Sequence, residues 1–184
     1  MSSTAGGTRM PHLLLPTAIG LCGLAWNDTG LTAFALPGRD VAATAGNLAG
    51  QAGDPALRLE QAPAWIRELA ARVQRHLTGE MQDFNGVPLD YGPVSRFARR
   101  VYEATRSVAA GQTRTYGELA EMLEEPPGAS RAIGAILGAN PWSLIVPCHR
   151  ILGAKGRLAG FSAEGGVRTK ARLLAIEGAQ LLAE

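Results

Sequence analysis

Apolar residues in the first third of the chain come in short runs rather than in a helical rhythm. In residues 17–36, TAIGLCGLAWNDTGLTAFAL, two such runs flank Asn27, Asp28, Thr29 and Gly30. That turn-forming cluster predicts a β-hairpin. Residues 37–62 are rich in Gly, Ala and Asp and show no clear period. The rhythm then changes. PAWIRELAARVQRHLTGE places Trp65, Ile66, Leu69, Val73 and Leu77 at helical spacing, with Pro63 at the start. FNGVPLDYGP, residues 84–93, is rich in turn formers and proline and divides the chain into a first domain, 1–92, and a second, 93–184.

In the second half, Val94, Phe97, Val101, Ala104 and Val108 share one face of a predicted helix that Gly111 ends. Thr115 with Glu118 three residues on is a capping-box pattern opening a short helix. EPPG at 125–128 breaks the chain, and SRAIGAILGAN forms a second short helix with Ile133, Ile136 and Leu137 inward. Two short helices around a tight turn suggest a helix-turn-helix. The small residues Gly134, Ala135 and Gly138 would let its second helix approach another surface closely, although from the pattern alone an αα-hairpin in a core is the stronger reading. The last segment, GGVRTKARLLAIEGAQ, predicts a helix with Val167, Ala171 and Leu174 on its inner stripe, Glu177 near its end and Gly178 as its cap.

Composition narrows the class. A charged fraction of 18 % and a hydrophobic fraction of 46 % describe an ordinary globular chain. The N-terminal stretch has neither a signal h-region nor a span long enough to cross a bilayer, so a soluble cytoplasmic protein with no membrane partner is expected. Net charge is uneven: residues 1–93 carry six Lys+Arg against eight Asp+Glu, and residues 94–184 carry twelve against eight. The basic excess in the second half agrees with a polyanionic partner. With two cysteines, three histidines and no paired ligand spacing, no metal site is expected. Cys22 lies in an apolar run and reads as a buried small hydrophobe.

The chemistry gathers at LIVPCHRILG, residues 144–153. Four apolar residues ending in Pro147 read as a buried strand that stops there and presents Cys148 at its mouth. An imidazole able to take the thiol proton, directly or through water, would activate the sulfur, and a carboxylate behind it would fix its tautomer. His149 is adjacent in sequence, but neighbours on an extended segment point opposite ways, and Glu177 is one of several available carboxylates. From these residues alone a structural cysteine beside a hydrogen-bonded histidine is the stronger reading.

IVPCHRILGAKGRLAGFS closely resembles the active-site signature of the O6-alkylguanine-DNA alkyltransferases, the methylated-DNA–protein-cysteine methyltransferases. The resemblance extends in register over TRTYGELAEML, SRAIGAILGANPWSLIVPCHRI and GGVRTKARLLAIEGA, roughly residues 94–179. It implies an α/β N-terminal domain of ribonuclease-H-like topology and a mostly α C-terminal domain with a winged-helix-like helix-turn-helix. It implies also that Cys148 takes the alkyl group from O6 of guanine in one irreversible displacement, with His149 as a water-linked base, Glu177 completing the relay and Tyr116 donating a proton to the leaving guanine. The lesion must be flipped out of the duplex. By the resemblance Arg131 fills the vacated stack, and Ala132, Ala135 and Gly138 let the recognition helix enter the minor groove. Asn140 supports the site. Ile151, Phe161 and Ser162 help form the base pocket, with carbonyls of Cys148 and Ile151 for the exocyclic amine and an amide near Ser162 for O6. Arg150 pairs structurally.

The implied partner is double-stranded DNA carrying O6-alkylguanine, chiefly O6-methylguanine, met by a monomer that needs no cofactor and reacts once. SAEGG, after Phe161, is longer than in some members, and the zinc site of other members is expected to be absent. Three rival readings differ in class: a lesion-binding protein that does not repair, a cysteine hydrolase using Cys148, His149 and Glu177, and a plain DNA-binding module. Cys148 itself opposes the first, because such lesion binders lack the cysteine.

Overall fold

A computed structural model describes residues 10–48 and 56–179. Residues 1–9, part of the stretch read for a signal, and 49–55, part of the aperiodic region, lie outside the described residues, as does Gln180 at the end of the last predicted helix. The fold is mixed α/β.

The first half is built on an antiparallel meander of β1 (His12–Thr17), β2 (Gly20–Trp26) and β3 (Leu31–Ala35). The hairpin expected around residues 27–30 is the β2–β3 turn, where Asn27 Oδ1 accepts from the backbone N–H groups of Thr29 and Gly30 at 2.8 and 3.0 Å. Every residue of β3 is buried, so it is covered on both faces and shows no alternation. The aperiodic region contains a short α1 (Val41–Gly46), capped by Asp40 Oδ1, and a 3₁₀ turn at Leu59–Gln61. α2 (Ala64–Leu77) lays Ile66, Leu69, Val73 and Leu77 against the sheet, as its spacing predicted.

α3 (Arg96–Arg106) begins at Ser95, whose Oγ accepts from Ala98 N at 3.1 Å, and buries Val101. It ends at Ser107 rather than Gly111, because Ser107 N and Oγ both turn back onto the last carbonyls. Gly111 instead takes φ +80° beneath the end of the last helix, where a Cβ would stand 3.1 Å from Glu177 O. β4 (Arg114–Thr115) leads directly into α4 (Tyr116–Met122) and pairs in parallel with β5 (Ile151–Leu152). α5 (Ser130–Gly138) follows a 3₁₀ turn at Pro127–Ala129, and α6 (Val167–Ile176) is the last element among the described residues.

One apolar core runs through both halves, from Leu13 and Leu15 to Ile133, Val146 and Leu173. Trp142 joins them: its indole N–H donates to Leu31 O at 2.7 Å, and Phe34 N donates to Pro141 O at 2.8 Å. Among the described residues no helix is long and apolar enough to cross a membrane.

Two expectations fail here. Leu144–Val146 is not a strand: Leu144 has φ +73°, and the segment folds into a turn closed by Val146 N on Trp142 O at 2.8 Å. Its apolar residues are buried by their position between the two halves, which periodicity cannot separate from a strand. On α6, Val167 is exposed, and the buried face carries Lys170, Leu173 and Leu174 and runs on to Glu177 at the C-cap. Two charged side chains point inward there, and of the predicted stripe Leu174 is buried and Ala171 half-buried while Val167 turns to solvent.

Candidate active site

The site is assembled from local rules. The capping box of α4 is present as expected: Thr115 Oγ1 accepts from Glu118 N at 3.1 Å, and Glu118 Oε2 accepts from Thr115 N at 2.6 Å. It fixes the first turn of α4 and with it Tyr116. α5 packs through Ile133 and Leu137, with Ile136 only half-buried; Arg131, Ala132, Ala135 and Gly138 lie exposed on its outer side. At its end Asn140 ties the next turn together, Nδ2 donating to Val146 O and Oδ1 accepting from Trp142 N, both at 2.9 Å. Pro147 then leads into a 3₁₀ turn, Cys148–Arg150. That turn, not a strand end, carries the thiol.

Cys148 is 5 % exposed, in the wall of a cleft of about 280 Å³. Tyr116, Gly134, Leu137, Gly138, Gly160, Phe161 and Ser162 complete the lining. The far wall belongs to the loop before α6. Lys170, fully buried, anchors it by donating to Ile151 O at 2.5 Å, Ala159 O at 2.9 Å and Gly160 O at 3.4 Å. Gly160 takes φ +55°, and a Cβ there would lie 3.8 Å from the Tyr116 hydroxyl oxygen.

Behind the cysteine sits a buried charged cluster. Glu177 Oε1 accepts from His149 Nε2 at 2.9 Å, His76 Nε2 at 2.9 Å and Arg150 NH2 at 2.8 Å; Oε2 accepts from Arg150 Nε at 3.0 Å. Burial alone would raise the Glu177 pKa, but the hydrogen bonds from His149, His76 and Arg150 outweigh it and hold the carboxyl well below the usual range. An ionised carboxylate only accepts, so both imidazoles present Nε2–H to it. His149 Nδ1 then carries a lone pair, and it is buried without a protein partner among the described residues.

Burial lowers the His149 pKa, and hydrogen bonding and charge from Glu177 only partly offset this, so the ring is neutral. Burial likewise raises the Cys148 pKa, against lowering by Asn140 and the Lys170 charge. Cys148 therefore rests as a thiol beside an unprotonated base. Tyr116 is pushed up by burial and then by the Cys148 charge, which keeps its hydroxyl a donor.

The structure thus brings Cys148, His149, Glu177, Tyr116, Gly138, Phe161 and Ser162 into or directly behind one cleft. Arg131, Ala132 and Ala135 stand exposed on the outer side of α5 and do not line the cleft, and Asn140 holds the turn that leads into Cys148. The Ile151 side chain is fully buried away from the cleft, and its carbonyl accepts from Lys170. Cys22 is buried, and its thiol is pushed up to about 12 by burial, which a bond with Thr17 only partly offsets. Sequence reasoning missed His76 and Lys170. His76 follows Val73 by three residues on the buried face of α2, and Lys170 precedes Leu174 by four on that of α6; both positions were legible as inward-facing.

Residues 96–179 match the family model described as 6-O-methylguanine DNA methyltransferase, DNA binding domain. The chain is also 36 % identical over 151 residues to the methylated-DNA–protein-cysteine methyltransferase of Mycolicibacterium paratuberculosis, covering 82 % of this chain and 88 % of that one. It belongs to the methylated-DNA–protein-cysteine methyltransferase family. Among solved structures it is similar to the Mycobacterium tuberculosis O6-methylguanine methyltransferase, with a TM-score of 0.69 at 29 % identity over 95 % of this chain and 96 % of that one. It is similar also to the M. tuberculosis OGT in complex with DNA, with a TM-score of 0.71 at 31 % identity over 91 % and 92 % of the two chains. Family membership places a reactive cysteine among the possibilities for the cleft, and of the chain's two cysteines only Cys148 reaches it.

Proposed function

We propose that this protein repairs O6-alkylguanine in duplex DNA by transferring the alkyl group to Cys148, once per molecule. The observation that carries the proposal is the buried relay behind the thiol: Glu177 holds His149 as its Nε2–H tautomer and leaves Nδ1 bare to receive a proton. The proton passes from the thiol to Nδ1 through a water, since no direct Cys148–His149 hydrogen bond is made among the described side chains. The sulfur attacks the alkyl carbon, an S–C bond forms and the C–O6 bond breaks, its electron pair leaving on the guanine. Tyr116 gives the departing base a proton and recovers one from solvent, while His149 releases the thiol proton. The products are alkylated Cys148 and ordinary guanine.

A guanine inside a duplex cannot reach a cysteine that is 5 % exposed, so the nucleotide enters the cleft flipped. The exposed face of α5 is the docking surface. Ala132, Ala135 and Gly138 offer little bulk, which suits close approach in the minor groove, and Arg131 takes the place of the extruded base. The Cys148 carbonyl, the second lone pair of the Ile151 carbonyl, whose first is held by Lys170, and the backbone near Ser162 read the base edge. We assign residues 1–92 to a ribonuclease-H-like domain and residues 93–184 to a winged-helix-like one, acting as a cytoplasmic monomer.

Stoichiometry tests the proposal. A duplex with one O6-methylguanine, in tenfold excess, should be restored to guanine in an amount equal to the protein and no further. Continued turnover would overturn the single-use mechanism.

A further inference from the structure

The transfer set out above makes no use of His76, yet this residue of α2 reaches into the relay from the first half of the chain. It is 1 % exposed, and its Nε2 lies 2.9 Å from the same Glu177 oxygen that holds His149. Its other nitrogen, Nδ1, accepts the backbone N–H of Gln82 at 3.1 Å. A backbone amide can only donate, so Nδ1 bears no proton and Nε2 does. Protonating the ring would set two N–H groups against each other and break the Gln82 bond. The groups facing His76 are Glu177 at the end of α6, His149 and Arg150 on the active-site turn, the Gln82 amide, and the Phe84 ring at 5.2 Å, which carries the Arg72 guanidinium 5.5 Å from its centroid.

We propose that His76 is a positioning residue for the alkyl transfer, a fixed neutral donor that shares Glu177 Oε1 with His149 and thereby sets the strength of the base. The proposal rests on the reading that Cys148 accepts the alkyl group and His149 its proton. A carboxylate oxygen with one histidine donor fewer pulls harder on the proton of the other. Without His76, the His149 imidazolium is held more tightly, and less of the bare-Nδ1 form exists at neutral pH. His76 also ties α2 to α6 and the cysteine turn, linking the two halves at the relay itself.

The test is the pH dependence of Cys148 alkylation by free O6-benzylguanine, which requires no DNA binding. His76→Phe removes the donor, and His76→Gln can place an amide N–H on Glu177 without a titrating ring. His76→Phe should move the acid limb of the rate to higher pH and slow the reaction at neutral pH about tenfold, less than the ~10²–10⁴ that loss of the base itself would cost. His76→Gln should return the limb to its wild-type place. An unchanged limb in His76→Phe, or a limb that His76→Gln does not restore, overturns the proposal. If His76→Phe fails to fold, ¹⁵N NMR of the wild-type imidazoles at neutral pH decides: Nε2–H with bare Nδ1 at His76 supports the assignment, and Nδ1–H refutes it. A wild-type chain that takes no benzyl group at Cys148 instead sinks the underlying reading, and His76's role with it.

Discussion

Glu177→Gln perturbs the point where three parts of the site meet. The carboxylate side chain is 1 % exposed and accepts four hydrogen bonds, from His76, His149 and twice from Arg150. Glutamine matches its shape, but one oxygen becomes an amide nitrogen that faces a donor on either side. Arg150, itself 5 % exposed, loses the carboxylate it pairs with. Removing one partner of a buried ion pair costs about 3–5 kcal/mol, mostly from the charge left behind. At ~2–4 °C per kcal/mol for a chain of this length, the Tm should fall by about 6–20 °C. The gap should also depend on pH. Glu177 has a depressed pKa in the fold, so its contribution is fully present above its unfolded pKa of about 4.3 and is lost as pH falls below it. Wild type and variant should therefore converge in acid. Calorimetry at neutral pH and near pH 3 reads the first effect, and Cys148 alkylation by free O6-benzylguanine reads the second, where a loss of ~10²-fold or more is expected from a base deprived of its orienting carboxylate. A Tm change under about 2 °C, less than one kcal/mol here, together with an undiminished rate, would refute the relay.

Arg131→Ala removes an exposed side chain of α5, so stability should hold within about 0.5 kcal/mol and free O6-benzylguanine should react as before, while the rate on duplex O6-methylguanine falls; equal loss on both substrates would exclude a role in flipping. Tyr116→Phe should slow transfer by about 10²-fold on methyl and benzyl substrates alike, because guanine is the leaving group in both; a rate unchanged on the two substrates would remove it from proton delivery. Burial brings the Lys170 ammonium down to about 8, the charge of Cys148 opposing. It is charged below that pH and loses both a loop-holding proton and the positive charge beside Cys148 above it. The rate should therefore fall as pH rises through about 8, and Lys170→Met should abolish that limb; a rate rising smoothly with thiol ionisation would contradict the role.

How much of this was legible in the sequence divides along physical lines. α2, α3, the capping box at Thr115 and the Asn27–Gly30 hairpin follow from spacing and local hydrogen bonding, and the sequence carried them. So did the grouping of Cys148, His149 and Glu177, although by resemblance rather than by pattern. Leu144–Val146 misled because three apolar residues before a proline look alike in a strand and in a buried turn, and the position of Trp142 between the halves distinguishes them. α6 misled because its inner face carries Lys170 and Glu177, each burying charge against carbonyls or donors from distant segments. His76 was invisible as chemistry for the same reason: its partner Glu177 lies 101 residues away.

Everything above turns on one thiol of this chain accepting an alkyl group from DNA. Incubation with duplex O6-methylguanine, proteolysis and mass measurement of both cysteine peptides test it directly. A gain of about 14 Da, methyl for hydrogen, is expected on the peptide holding Cys148 and none on that of Cys22. A Cys148 peptide of unchanged mass, or a methyl group found on Cys22, would contradict it.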